Sequence, residues 1–529
     1  MADSWTGGGR LVRLYGRRDR VLAPVWVLVL TAMCGASAVA TADLYAGTSE
    51  LADAAHLINQ SPALVALYGP ILDEHSLGEI AMSKTTVMYA MFVMLMTLVL
   101  VRRHTRAEEE SGRFELLGAT AVDRVTPTVA ATAYAAGVVA VLGVLSAVAD
   151  VAGGLPVRGS LLFGASWLGI GLVGVGIAVV ACQLSASTRT CGALGLAAVA
   201  TFYLVRAAGD VGPGWLSWLS PLGWGTRLRA WGDPRWWVLL LYPVTAAALV
   251  GLGWALHRRR DLGSGLVAAR PGPAVAAPSL RGAASLGLRL QRTALVGWTV
   301  GTVVLGAVFG SIAPTLGDFF KSDAARAALR AFGGRGAVED ALLAALLHTS
   351  AYVVTAYGLS VVAAAGSEER DGRAAVVLAT GSTRRSIFGA TAGLVALGSV
   401  WLLLTTGLGM AIGFGLQTGD VADGVGRLLP AVAAYVPAVL LTGALGLAGF
   451  AWSARWAAAG WGLLFLFLTL GELGELLHLP DWAIGLSPFQ HVPALPGGTV
   501  HAAPLVALSV LATTVGFGAW LRYRSRDID

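Results

Sequence analysis

Two short charged motifs hold the residues of this chain whose types and spacing could do chemistry. The first reads Glu108-Glu-Glu-Ser-Gly-Arg113, and the second reads Glu368-Glu-Arg-Asp-Gly-Arg373. In each motif a glutamate lies a few positions before an arginine, so their side chains can pair along a short helix. The glycine permits a close backbone approach to a partner. An acidic pair followed by Gly-Arg, present twice, predicts two docking surfaces for a soluble protein.

The alternative for both motifs is a solvated basic loop. Such a loop explains the arginines, but it does not explain an acidic pair and a Gly-Arg step in both motifs. The residues that we expect at the docking contacts are Glu108, Glu109, Gly112, Arg113, Glu368, Glu369, Gly372 and Arg373. The residues after each arginine differ, Phe-Glu-Leu-Leu-Gly in the first motif and Ala-Ala-Val-Val-Leu in the second, so the two sites are not expected to be equivalent.

No arrangement of residues predicts catalysis or metal binding. The eight histidines are scattered, and Cys34, Cys182 and Cys191 lack the spacing of metal ligands. A nucleotide-binding P-loop needs a lysine after glycine, whereas the two lysines, Lys84 and Lys321, follow serine and phenylalanine. We therefore expect no catalytic residue, metal or cofactor in this chain. If ATP drives it, ATP and Mg²⁺ bind to a partner ATPase.

The composition is that of an all-α polytopic membrane protein. Of the 529 residues, 56% are hydrophobic and only 13% are charged, whereas a soluble domain carries roughly 25% charged residues. The lipid bilayer is the solvent in which such a chain is stable. The formal net charge of +6 lies in short arginine clusters between apolar runs, so nucleic acid is not expected as a partner.

Apolar runs position the charged motifs. A membrane-spanning helix needs about 20 apolar residues, and the chain contains about a dozen such runs. An even number of spans puts both termini on one side. Most of the basic residues fall on the cytoplasmic side if the N-terminus is cytoplasmic. The sequence thus predicts a multi-pass protein of the cell (inner or plasma) membrane, with both termini and both motifs in the cytoplasm.

Other polar residues recur in the same order as the motifs. Arg124 recurs as Arg384, and Arg260-Asp261 recurs as Arg526-Asp527. Because matched residues keep their order along the chain, we interpret the chain as two parallel six-helix repeats. The first comprises residues 1–262 and the second 286–529. The segment 263–285, rich in Gly, Ala, Pro and Ser, is predicted to be a flexible cytoplasmic linker.

Several of these features together carry a family resemblance. Besides the duplicated charged motif, Leu219-Ser-Pro221 recurs as Leu486-Ser-Pro488 before the last helix of each half. Leu219-Ser-Pro-Leu-Gly-Trp224 leads to Asp233-Pro-Arg-Trp-Trp237. Over essentially its whole length the chain resembles the permease subunit of actinobacterial ABC exporters of the polyketide-antibiotic (tetronasin-resistance) type.

The resemblance implies an ABC-2-like (type V) exporter fold. Each half then begins with an amphipathic elbow helix, at 8–20 and at 284–292. A coupling helix follows the second span of the first half, at 103–124, and a coupling segment occupies 367–385 in the second half. Short outer helices or re-entrant segments precede the sixth span of each half, at 212–235 and 480–500.

The same resemblance implies multidrug efflux. Two copies of a separate nucleotide-binding ATPase would drive export of bulky hydrophobic or amphipathic compounds, such as antibiotics and drugs, by alternating access. The alternatives are a secondary, ion-coupled multidrug transporter and an ABC exporter of a lipid or polyketide. Ion coupling is less favoured, because charges such as Asp150 and Arg206 lie at span edges, where snorkelling or water suffices. A membrane-embedded transferase is disfavoured, because no acidic or histidine pair is clustered.

The resemblance further implies a substrate pocket between the halves, on the second, fifth, eighth and eleventh spans. A lining of flexible and aromatic side chains suits large apolar ligands that are held by area. The candidates are Met88, Met91, Phe92, Phe202, Tyr352, Tyr357 and Phe465.

Overall fold

Helices form all the regular structure in the described part of the chain. The computed structural model describes residues 6–44, 48–60, 62–120, 122–267, 274–316, 335–473 and 479–527, and these ranges contain no strand. Twelve helical runs within them are long and apolar enough to cross a membrane. The predicted all-α architecture with twelve spans is therefore confirmed.

The chain divides into two units, Met1–Gly272 and Pro273–Asp529, with six spans in each. The spans of the first unit are Leu22–Ala42, Leu77–Glu110, Thr126–Ala152, Val157–Leu184, Thr188–Val211 and Val238–Arg258. Those of the second unit are Ala283–Pro314, Glu339–Arg370, Arg384–Thr418, Val421–Trp452, Ala454–Gly471 and Ala502–Ser525.

Shorter helices lie between the spans. In the first unit they are Gly8–Arg18, Thr48–Gln60, Pro62–Tyr68, Arg113–Gly118, the 3₁₀ turn Leu216–Leu219 and Pro221–Leu228. In the second unit they are Arg373–Ala379, Asp481–Ile484 and the 3₁₀ turn Pro488–His491. The second span is irregular, because a π-helical segment, Thr85–Tyr89, interrupts it.

The core of the first unit is built around its fourth span. This helix packs against the second, third and sixth spans. Close packing depends on small residues: a Cβ atom at Gly164 would overlap the carbonyl of Gly143, and one at Gly169 would lie 2.5 Å from the ring of Tyr242. Small residues at helix contacts let backbones approach within a membrane, where van der Waals contact rather than the hydrophobic effect drives association.

The second unit uses the same device between its first and third spans. Gly306 and Gly310 face the backbone of Thr406 and Met410, and a Cβ atom at Gly310 would overlap the Met410 carbonyl. Gly409 and Gly413, on the opposite helix, face Val303 and Ala307 in return. Glycines four residues apart on both helices thus hold the two backbones in contact.

The two predicted elbow helices differ. In the first unit, Gly8–Arg18 is a separate helix whose Leu11 and Tyr15 pack on the third span at Ala130 and Ala131. In the second unit, the predicted elbow forms the first turns of the continuous helix Ala283–Leu316. The first helix ends where Asp19 turns inward, whereas no such break separates residues 284–292 from the span that follows.

Two charged side chains near span ends are buried rather than solvated. Arg206 is fully buried, donates to the carbonyl of Ala66 at 2.6 Å and lies 3.2 Å from Asp210. Asp150 is also fully buried, and neither carboxylate oxygen has a hydrogen-bond partner among the described residues. For Arg206, the prediction that snorkelling or water satisfies the charge is therefore wrong, because the helix Pro62–Tyr68 and Asp210 bind it, whereas Asp150 is buried at a span end.

Candidate functional site

Each charged motif lies where the second span of its unit ends. In both motifs the chain then turns through a glycine of positive φ, +74° at Gly112 and +73° at Gly372, and begins a short helix. This left-handed conformation favours glycine. A Cβ atom at either position would meet no atom of this chain within 4 Å. The glycine is therefore required by the backbone conformation of the turn, and not by close contact with another part of this chain.

The first glutamate of each motif pairs with the arginine of the same motif. Glu108 lies 3.1 Å from Arg113, and Glu368 accepts two hydrogen bonds from Arg373, at 2.6 and 3.1 Å. The predicted pairing within the motifs is therefore confirmed. The hydrogen bond to Glu368 raises the pKa of Arg373. The side chains of Arg113 and Arg373 are 59% and 54% exposed, so both arginines are available at the surface of their unit.

The second glutamate of each motif is buried and points into its own unit. Glu109 accepts hydrogen bonds of 2.5 and 2.8 Å from Arg260 and lies 3.1 Å from Arg106. Glu369 forms an ion pair with Arg526 and accepts a hydrogen bond from the Tyr523 hydroxyl at 3.3 Å. Arg260 and Arg526 are the repeated arginines that follow the last span. In each unit an ion pair thus ties the second span to the last span.

A third repeated residue completes the arrangement. Arg124 donates a hydrogen bond to the carbonyl of Arg260, and Arg384 donates one of 2.7 Å to the carbonyl of Arg526. The same three positions thus meet in both units, and we call each group a coupling cluster. The two coupling clusters are Glu109, Arg124 and Arg260 in the first unit, and Glu369, Arg384 and Arg526 in the second.

The first unit adds contacts to its elbow helix. Arg18 lies 2.8 Å from Glu108, and buried Asp19 lies 2.6 Å from His104 and 2.9 Å from Arg103. The ring of Tyr15 stacks on His104 with centroids 4.3 Å apart. Burial, with a smaller contribution from the Glu108 charge, raises the pKa of the Tyr15 hydroxyl, which therefore stays neutral.

The two motifs consequently differ in exposure. The side chain of Glu108 is only 10% exposed, because the elbow helix covers it, whereas that of Glu368 is 45% exposed. The second-unit motif therefore presents a more accessible acidic side chain. The first-unit motif is held more firmly, since it bonds to the elbow helix as well as to the last span.

The start of the predicted linker is also bound to the first coupling cluster. The Gly263 amide donates to Glu109 at 2.7 Å, and Arg106 donates to the Ser264 carbonyl at 2.8 Å. The amides of Leu266 and Val267 donate to residues 183 and 184, at 3.0 and 2.9 Å. A Cβ atom at Gly265 would lie 2.6 Å from the backbone of residues 185 and 186, so glycine permits this contact. Residues 263–267 are thus fixed on the first unit.

The predicted substrate-binding residues fall in different environments. Met88, in the π-helical segment, and Met91, Phe92 and Phe202 are half-buried in the first unit, and the last three pack on the margin of its core. In the second unit Tyr352 packs 4.4 Å from Phe489, and Tyr357 donates to the Leu394 carbonyl at 3.3 Å. Both tyrosines are buried core residues, whereas Phe465 is 71% exposed. A substrate role for these seven residues stays a prediction.

Sequence reasoning did not foresee the partners of the motif glutamates. Arg260 and Arg526 were visible as a duplicated Arg-Asp step, but nothing assigned them to Glu109 and Glu369. The sequence does contain a clue to these pairs. The glutamates and the arginines both recur in the two halves, and both follow spans that end on the same side. Asp19 and His104 carry no such signal, because the second unit has no matching pair in its sequence.

Comparison with known proteins agrees with the duplicated architecture. A family model described as "Multidrug efflux system permease Rv1217c, C-terminal domain" matches twice, at residues 22–258 and 280–524. The chain is also similar to the multidrug efflux system permease protein Rv1217c of Mycobacterium tuberculosis (strain ATCC 25618 / H37Rv), at 36% identity over 529 residues, which cover 99% of this chain and 96% of that protein. One matched stretch falls in each unit, and the chain belongs to the family of the multidrug efflux system permease Rv1217c.

Proposed function

We propose that this multi-pass membrane protein is the permease subunit of an ABC exporter of the polyketide-antibiotic type. It moves bulky hydrophobic or amphipathic compounds out of the cell, and its termini and both coupling clusters lie in the cytoplasm. The observation that carries the proposal is the duplicated coupling cluster, one in each unit. The name of the similar mycobacterial protein, a multidrug efflux permease, supports the class of substrate.

The energy source is a pair of partner ATPase subunits that bind ATP and Mg²⁺. One subunit docks on each motif, where charged and apolar side chains are exposed together. Besides Arg113 and Arg373, these include Leu116, 74% exposed, and Val376, 68% exposed. Exposed apolar side chains rimmed by charges are typical of protein contacts. The helix Arg373–Ala379 has no buried residue, and its Arg373, Ala375, Val376 and Ala379 are exposed to a partner.

The coupling cluster explains how a movement at the docked ATPase reaches the membrane. A displacement of the motif moves the end of the second span directly. Because Glu109 binds Arg260, the last span of the first unit is displaced with it. Glu369 and Arg526 do the same in the second unit. Paired spans that move as one body suit alternating access, in which rigid elements shift between two discrete arrangements.

The rival function is secondary, ion-coupled transport. The experiment that separates the two uses this chain in proteoliposomes, with and without the proposed partner ATPase, and an amphipathic fluorescent dye as cargo. ATP-dependent dye movement that requires the ATPase supports the exporter. Dye movement that is driven by a pH or sodium gradient, without ATP, overturns it. Repeating the assay with labelled lipid as cargo tests the alternative of lipid export.

The stoichiometry follows from the duplication. One chain carries two docking motifs, so one permease binds two ATPase subunits. The mass of the purified complex, measured by native mass spectrometry in detergent, tests this ratio. A complex that contains two copies of this chain contradicts it.

A further inference from the structure

A small cavity with a few polar side chains in its lining lies at the far end of the first unit from the coupling cluster. Its volume is about 30 Å³, and its lining includes Glu79, Thr226, Arg229 and three aromatic residues, Tyr68, Phe163 and Trp231. The second span begins beside this cavity and ends in the charged motif, so its 34 residues separate the two sites by about 50 Å.

Four buried polar atoms around the cavity have no hydrogen-bond partner among the residues that the structure describes. They are Glu79 Oε2, Thr226 Oγ1, Arg229 Nε and Trp231 Nε1. Thr226 as a whole is only 9% exposed. Buried polar groups are nearly always hydrogen-bonded, because burial without a partner is unfavourable. Four such atoms on residues that line one cavity indicate a site for ordered water or for the polar group of a ligand.

The acidic side of the cavity is held in place by the backbone. Ser76 caps the helix in which Glu79 lies, and the Leu72 amide donates to Glu79 Oε1 at 2.6 Å. The Asp73 amide and the charge of Arg229 also act on this carboxylate, whose Oε2 has no hydrogen-bond partner among the described residues. Thr86, which also lines the cavity, belongs to the π-helical segment that interrupts the second span. Such π segments frequently occur at functional sites.

The opposite side of the cavity is strained and closely fitted. Arg229 has φ of 54°, and it is the one described residue other than glycine with a positive φ. Backbone strain of this kind clusters at ligand sites. The Trp231 ring is fixed between two glycines, since a Cβ atom at Gly78 or Gly159 would overlap it. The Ser76 hydroxyl also donates to the Trp231 carbonyl at 3.3 Å.

The chemistry of the lining selects a ligand. Glu79 Oε2 accepts hydrogen bonds, so this side suits a donor such as a protonated amine. Arg229 Nε and Trp231 Nε1 are donors and need an acceptor oxygen. The volume admits a group the size of about two or three water molecules.

We propose that this cavity binds the head of an amphipathic primary amine that carries an oxygen acceptor beside the amine, while the apolar remainder of the molecule stays outside. The site belongs to the first unit alone and is additional to the predicted pocket between the halves. The inference concerns binding only, so it does not depend on ATP-driven export. Ligands of this chemistry have two sources, the headgroup of phosphatidylethanolamine and soluble amphipathic amino alcohols.

The test uses the full chain in phosphatidylcholine nanodiscs, with 2-amino-1-dodecanol as the probe and binding measured by calorimetry. We expect saturable binding, and none with 1-dodecanol, which lacks the amine. The variant E79Q should weaken binding roughly 10-fold or more, because a charged acceptor is replaced by a neutral one. Glu115, exposed at the other end of the unit, supplies the matched control E115Q, which should bind normally.

The variant T226V provides a second measurement if E79Q fails to fold, and it should weaken binding without altering thermal stability. Adding phosphatidylethanolamine to the nanodiscs distinguishes the sources: competition with the probe identifies the lipid headgroup, and binding without competition identifies the soluble amine. Equal binding of the amine and the alcohol, or unchanged binding by both E79Q and T226V, overturns the proposal.

Discussion

Glu109 and Arg260 are 151 residues apart in the sequence, yet they form a buried ion pair through two hydrogen bonds of 2.5 and 2.8 Å. Glu369 and Arg526 form the corresponding pair in the second unit. Removing one partner of a buried ion pair strongly destabilises a protein, because the other charge is left buried and uncompensated. The pair therefore fixes the end of the second span to the end of the last span.

The first prediction concerns the stability of this pair. The variant E109Q should lower the free energy of unfolding by about 3 to 5 kcal/mol, since Arg260 remains buried without its counter-charge. The double variant E109M/R260M should recover only part of that loss, because Arg106 and the Gly263 amide, which also bind Glu109, still lose their acceptor. Thermal unfolding of the purified protein in detergent measures both. Equal stability of E109Q and the unchanged protein would show that the pair contributes nothing.

The second prediction concerns docking. Reversing the exposed arginines in R113E and R373E should weaken binding of the ATPase, because charges at the rim of an interface govern association. Membrane insertion should be unaffected, since both side chains are more than half exposed. Co-purification of the ATPase with the permease measures the effect. R158E, an exposed arginine at the opposite end of the first unit, is the matched control. Normal ATPase recovery with both reversals would mean that the motifs are solvated loops.

The third prediction concerns the elbow helix of the first unit. The variant D19N removes the charge that lies beside both His104 and Arg103. The helix Gly8–Arg18 should then detach more often, and trypsin should cleave its arginines faster in inside-out membrane vesicles. The control variant D123N changes an exposed loop residue and should leave the cleavage rate unchanged. If D19N is cleaved no faster than the control, the contact does not hold the helix.

The fourth prediction concerns the turn glycines. Alanine at Gly112 or Gly372 must adopt a positive φ, so G112A and G372A should each destabilise the protein by about 1 kcal/mol or more. G9A, at an open helical position, should be neutral or slightly stabilising, because alanine favours helix. Chemical denaturation in detergent compares the three. Equal stability of G112A and G9A would exclude a conformational role for Gly112.

The membrane spans could be predicted from the sequence, whereas the contacts between distant residues could not. A spanning helix requires a long apolar run, so the constraint is local and can be read directly. The residues that recur in the two halves could also be recognised from the sequence, because most of them are charged or glycine. The partnership of Glu109 with Arg260 depends on how six helices pack, and no local pattern encodes that distance.

Other differences have local causes that sequence reasoning underestimated. The second elbow continues into its span, because nothing between residues 284 and 292 interrupts the helix. Arg206 was assigned to the water interface by its position near a helix end. The segment Pro62–Tyr68 instead covers it and accepts its hydrogen bonds through the carbonyls of Val65 and Ala66. Loop segments that fold back over span ends are the elements least accessible to hydropathy.

Each coupling cluster is built entirely from residues of its own unit. This arrangement has a consequence for the gene. Residues 263–267 are bound to the first unit, so they belong with its polypeptide. A gene interrupted between codons 274 and 280 would encode two polypeptides, each with six spans and a complete cluster of its own. Such half-length products are candidates to assemble as a two-chain transporter, and the fused chain is then equivalent to a covalently tethered heterodimer.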